Sequence, residues 1–137
     1  MRIPLALAVV WTFVILVLCW TPADWLPVKE TGESGWDLPH KDKFVHAGVF
    51  LVFAVLWLEA TRGKPGRFAW VAVAGIAIAV VTELGQNLPI LRRDGEVADA
   101  LADSVGVAVG LWLFPWIDRV VARWRSNGAL EAPHDDS

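Results

Sequence analysis

Four stretches of this chain are apolar on every side. The first, Ile3–Trp20, contains no charged residue. The second, Phe44–Ala60, carries His46 near one end and Glu59 near the other. The third runs from Phe68 to Leu91, with Glu83 and Gln86 in its latter part, and the fourth, Val97–Ile117, opens with Asp99 and Asp103. A helix on the surface of a soluble protein shows a polar residue every three or four positions, and these stretches show no such stripe. Eighteen helical residues rise about 27 Å, close to the ~30 Å hydrocarbon thickness of a bilayer. The uncharged cores of the other three stretches (Ala47–Leu58, Ala69–Val81 and Ser104–Ile117) are shorter, and length alone also suits buried helices of a soluble protein. Four all-apolar helices within 137 residues cannot shield one another from water, so lipid must cover the rest. The expected architecture is all-α: a polytopic membrane bundle of four transmembrane helices.

The chain divides accordingly. Residues 1–20 form the first transmembrane helix and 21–43 an extracytoplasmic connection, irregular because it holds Pro22, Pro27, Pro39, Gly32 and Gly35. Residues 44–117 form a core of three transmembrane helices. Residues 118–137 are a basic segment followed, from Ser126, by a polar tail expected to be disordered. A signal peptide is the rival reading of the first stretch. No small-x-small cleavage site follows Trp20, so it is read as a retained span. Thr61–Arg67 is a tight turn. Asp42 is a candidate N-cap for the second helix, and Gly106 and Gly110 read as packing residues.

Composition adds little beyond this. Apolar residues make up 55% of the chain, and the net charge of -3 gives no basic footprint for nucleic acid. The single cysteine, Cys19, excludes an internal disulfide, and Leu18 before it is too large for a lipid-attachment box. Charge does bear on orientation. With four spans both termini share a side, which carries Arg2, Arg62, Lys64, Arg67, Arg119, Arg123 and Arg125. The other side carries Lys29, Lys41, Lys43, Arg92 and Arg93. The positive-inside rule therefore places both termini in the cytoplasm. Trp57, Trp70, Trp112 and Trp116 are then expected in the inner aromatic belt, with Trp20 and Trp25 at the outer one.

On this topology the polar residues converge. His46 opens the second span, Glu83 and Gln86 close the third, and Asp99 and Asp103 open the fourth, all at the outer end. Glu83 and Gln86 are three apart and share a face, as do Asp99 and Asp103, four apart. Gly106 and Gly110 continue the Asp99–Asp103 face, and small residues at that spacing admit a neighbouring helix. Ionisable groups inside a membrane cost several kcal/mol each unless paired or hydrated. A mutually satisfied cluster is therefore expected. Glu59 falls at the opposite end, as a charge reaching water.

These residues also resemble a known family. Asp42-Lys43-Phe44-Val45-His46 is similar to the Asp-Lys-x-x-His element with which VanZ-like proteins enter a span. Glu83-Leu84-Gly85-Gln86 is similar to their Glu-x-x-Gln late in the next span, and Arg93 and Asp99 to the Arg and Asp that follow six residues apart. Asp103 stands where the family usually has Asn, and Gly106 matches the Gly three residues on. The ordered set spans residues 42–115, and the first span fits the family's four-helix layout. The family takes its name from an accessory protein of resistance to the glycopeptide teicoplanin. The resemblance implies a role in the cell envelope of a bacterium, at its cytoplasmic membrane, without implying a reaction. It leaves Asp103 either protonated or paired with Arg93.

Two readings of the cluster stand. In one it is a site for an outer-leaflet lipid or lipid-linked envelope molecule. Glu83 or His46 then serves as general base with Asp99 and Asp103 beside it. Lys43, Arg92 and Arg93 hold a phosphate or pyrophosphate head group, with Gln86 and Asp42 as further binding residues. In the other reading the cluster is non-catalytic, binding a molecule or a partner membrane protein, or pinning the helices in register. A homo-oligomer is compatible with either. One histidine among carboxylates is a poor zinc set, so neither a metal nor a cofactor is expected.

Overall fold

A computed structural model describes residues 3–21, 41–86 and 97–130. The described residues form four helices: α1 (Ile3–Trp20), α2 (Lys41–Ala60), α3 (Arg67–Gln86) and α4 (Val97–Leu130). The fold is all-α. All four are long and apolar enough to cross a membrane, which makes this a multi-pass membrane protein by length and composition. Only 17% to 33% of each candidate span is buried inside the bundle. Large side chains such as Phe13, Trp70, Val73 and Trp112 point outward. In water that much contiguous apolar surface would drive association, whereas a lipid environment accepts it.

The helix bounds differ from the apolar runs in instructive ways. α2 begins at Lys41, so Asp42 is the second residue of the helix and not its cap. The apolar run starts later because the first turn of α2 is polar. α3 ends at Gln86, and the remainder of the third run, residues 87–91, lies outside the described residues. α4 passes Ile117 and continues to Leu130, so the tail expected to be irregular from Ser126 begins as helix. Val120, Val121 and Ala122, interleaved with Arg119 and Arg123, carry no helix-breaking residue, and the helix propagates through them. Pro115 sits inside α4. It removes one backbone donor, which leaves the carbonyl a turn earlier without its helical partner.

α2 joins α3 through a turn at residues 61–66, where Gly63 and Gly66 have φ of 83° and 69°. L side chains are strained there, which is why the turn uses glycine. The core lies where the helices meet: Ile15 and Cys19 of α1, Phe50, Phe53 and Leu58 of α2, Val71 and Ala79 of α3, and Val107 and Phe114 of α4. Since lipid tails are as apolar as leucine, association relies on close packing and interhelical hydrogen bonds. Trp11 Nε1 donates to the Val49 carbonyl at 3.0 Å, and Trp57 Nε1 donates to Thr12 Oγ1 at 3.0 Å. The second bond turns Trp57 inward against α1, so it is not a member of the outward belt. Trp70, Trp112 and Trp116 are exposed as expected.

The most extensive contact is between α2 and α4. These two helices run parallel, and glycine sets their distance. A methyl group added at Gly106 would overlap the Ala47 carbonyl oxygen, and one at Gly110 would lie 2.8 Å from Leu51 O. The backbones therefore touch at both positions. Ion pairs fix the same register. Lys43 and Asp99 are 56 positions apart, and so are Arg62 and Asp118, whose side chains meet at 2.7 Å. Along α4, Asp99 and Asp118 are separated by about 28 Å, nearly the thickness of the hydrocarbon slab. The α2–α4 pair is thus clamped by ion pairs about one hydrocarbon thickness apart and by glycine contacts in between.

Candidate functional site

At the end where α2 and α4 begin, two ionic contacts cross between them. Lys43 Nζ donates to Asp99 Oδ1 at 2.8 Å. One turn deeper, His46 Nδ1 and Asp103 Oδ1 are 3.0 Å apart. Asp103 is 1% exposed and Asp99 7%, whereas the Lys43 and His46 side chains keep 28% and 16% of their surface. The carboxylates therefore lie inside the bundle and the basic groups stand between them and the outside. The pairing arises locally. Asp99 and Asp103 are one turn apart on α4, and Lys43 and His46 are nearly one turn apart on α2. The backbones are brought together by Gly106, three residues beyond Asp103.

α3 closes the site from a third side. Its buried face is Val71, Gly75, Ala79, Thr82, Glu83 and Gln86. Gly75 lies against Val107 of α4, where an added methyl would approach Val107 Cγ2 to 2.7 Å. α3 runs antiparallel to α4, so moving eight residues from Gly75 to Glu83 matches eight from Val107 back to Asp99. Both paths rise about 12 Å. Glu83 therefore reaches the depth of Asp99, and it is 8% exposed, with Oε1 sealed from solvent. Gln86 faces α1: its Nε2 donates to the Cys19 carbonyl at 3.3 Å. Thr82 Oγ1 bonds back to the carbonyls of Ile78 and Ala79.

The structure thus brings Lys43 to Asp99 and His46 to Asp103, sets Glu83 at the level of Asp99, and turns Gln86 toward α1. Asp103 meets His46; of the two states left open for it, pairing with Arg93 involves a residue outside the described ones. Arg92 is likewise outside them, and the Asp42 side chain is not described. Among the described residues no three His, Cys, Asp or Glu side chains come close enough together to hold a metal ion.

Two features escaped the sequence reading. Trp20 packs so tightly over Gly85 that a methyl there would strike its indole. At the opposite end, Glu59 does not simply reach water. It pairs with Arg62, which also pairs with Asp118. The hydrogen bonds that Arg62 donates to Glu59, and after that to Asp118, hold its guanidinium above its ordinary value. The register was the missing signal: once Lys43 is opposite Asp99, Arg62 must be opposite Asp118.

Chemically, an imidazole whose Nδ1–H donates to a carboxylate has its basic lone pair on Nε2. That arrangement orients a general base. Three carboxyl groups, one ammonium and one imidazole at the same end of the bundle give the site both proton donors and acceptors and an anionic excess when all the acids are ionised. No known protein family, curated protein or solved structure matches the chain.

Proposed function

We propose that this chain is a VanZ-like protein of the bacterial cytoplasmic membrane. Its buried acid–base cluster binds and acts on the head group of a lipid or lipid-linked envelope molecule. The observation that supports the reading is the His46–Asp103 pair, one turn beneath Lys43–Asp99, with Asp103 buried and His46 still partly open. In this proposal His46, held by Asp103, is the base. Glu83 is the second acid–base group, and the surface left on Lys43 and His46 is the mouth toward the head groups. Arg92 and Arg93 add cations for a phosphate or pyrophosphate. Both termini are cytoplasmic by the cation distribution, which sets the cluster in the outer leaflet. The envelope role extends to tolerance of the glycopeptide teicoplanin.

The test uses purified, folded protein in vesicles of envelope lipid, with His46→Gln, Glu83→Gln and Asp99→Asn. A lipid product or bound head group is expected for the native chain and lost in folded variants. If no variant differs from the native chain while all are folded, the proposal fails. In cells, teicoplanin tolerance conferred by the native chain is expected to disappear with His46→Gln.

A second reading has its own support. Both described pairs join α2 to α4, beside the glycine contacts, which is where a register pin belongs. Under that reading the same variants lose folded protein, and none loses function while folded.

A further inference from the structure

At the opposite end of the bundle, a groove of about 460 Å³ opens between α2 and α3. Its lining includes Trp57, Lys64, Arg67, Trp70, Ala74 and Ile78. The cations lie at one end, and the wall beyond them is apolar. From Arg67 to Ile78 the α3 wall rises about 16 Å, half the thickness of the hydrocarbon slab. The groove is therefore one leaflet deep.

The charges at its mouth are not equivalent. Arg62 is committed to Glu59 and Asp118. Lys64 is exposed and has no carboxylate partner among the described residues. Arg67 lies over the rings of Phe68 and Phe114, each at 5.2 Å, and its Nη1 donates to the Leu58 carbonyl at 3.4 Å. Rings and a carbonyl orient a guanidinium without neutralising it. Two uncompensated cations thus stand at head-group level above an apolar channel as long as one leaflet.

We propose that this groove holds one anionic phospholipid of the leaflet facing the 61–66 turn. Its phosphate lies against Lys64 and Arg67, and one acyl chain lies along Trp70, Ala74 and Ile78. Charge complementarity and the one-leaflet depth select this occupant over a second copy of the chain, which would bring the same cations to the same mouth. The proposal is independent of the acid–base cluster at the other end.

The test is quenching of tryptophan fluorescence in vesicles of phosphatidylcholine containing a minor fraction of acyl-brominated phosphatidylglycerol. The full chain is expected to be quenched several times more than by brominated phosphatidylcholine at the same fraction. Trp70→Phe is expected to shrink that excess, and Lys64→Gln with Arg67→Gln to abolish it. Lys64→Gln alone, at an exposed position, and Ala74→Leu, which fills the groove, are each expected to reduce it in folded protein. Equal quenching by the two lipids, or an undiminished excess in the Lys64→Gln and Ala74→Leu variants, overturns the proposal. So does an excess that falls as the chain dimerises at high protein-to-lipid ratio, the signature of a second copy in the groove.

Discussion

Gly106→Ala tests the close approach of α2 and α4 at the point where it matters to the site. The added methyl would overlap the Ala47 carbonyl oxygen, a backbone atom that no change of rotamer can move aside. Carbon and oxygen need about 3.3 Å, so the helices must part by about 1 Å. That displacement carries Asp103, less than one turn away, from 3.0 Å to beyond hydrogen-bond range of His46. Overpacking costs about 1–3 kcal/mol and the lost hydrogen bond about 1 kcal/mol. The gain in helix propensity from glycine to alanine offsets about 1 kcal/mol. The net expectation is a loss of about 2 kcal/mol. The assay is unfolding in mild detergent titrated with dodecyl sulfate, run alongside Gly48→Ala. Gly48 is on the same helix pair, but nothing lies within 4 Å of a methyl there. That variant should match or exceed the native chain by up to about 1 kcal/mol. If Gly106→Ala is as stable as the native chain, or Gly48→Ala is the worse of the two, the described α2–α4 contact is wrong.

Asp103→Ala leaves His46 facing an empty, buried position and is expected to cost about 3 kcal/mol, while Asp103→Asn keeps a polar partner and costs about 1 kcal/mol, in the same titration. Arg62→Ala removes a pair that is largely solvated and should cost only about 0.5 kcal/mol despite its two carboxylate partners. Gly66→Ala places a side chain at a φ of 69° and should cost about 1 kcal/mol, with the loss read in the same unfolding curve. Gly85→Ala meets the Trp20 indole first, a side chain that can swing outward, so its cost should be below that of Gly106→Ala, accompanied by a shift in tryptophan emission.

The four helices were legible because lipid-facing segments need no polar stripe, and unbroken apolar runs report that directly. The grouping of His46, Asp99, Asp103 and Glu83 at one end was legible too, since each of those runs begins or ends on its polar residues. The spacing of Asp99, Asp103, Gly106 and Gly110 on one face even identified the surface that meets α2. The partner assignments were not legible. That Asp103 meets His46 depends on the axial register of two helices joined through a third. Periodicity within each helix carries no information on that offset. The end of α4 was missed for a different reason. The apolar run stops at Ile117 because Asp118 and Arg119 follow, whereas the backbone continues helically through them. Trp57 was placed in the interfacial belt by residue type, but its indole N–H is satisfied by Thr12 inside the bundle. Gln86 was grouped with Glu83 by spacing, but it lies nearer the α1 side of that face, where its amide donates to the Cys19 carbonyl.

The most direct test of the central proposal is a structure of the full chain in nanodiscs of envelope lipid. The account predicts head-group density in contact with His46 and Glu83, entering past Lys43, and its loss with His46→Gln in an otherwise unchanged bundle. Side chains closed on one another beneath hydrocarbon alone, identical in both proteins, would contradict it and leave the cluster as a register pin.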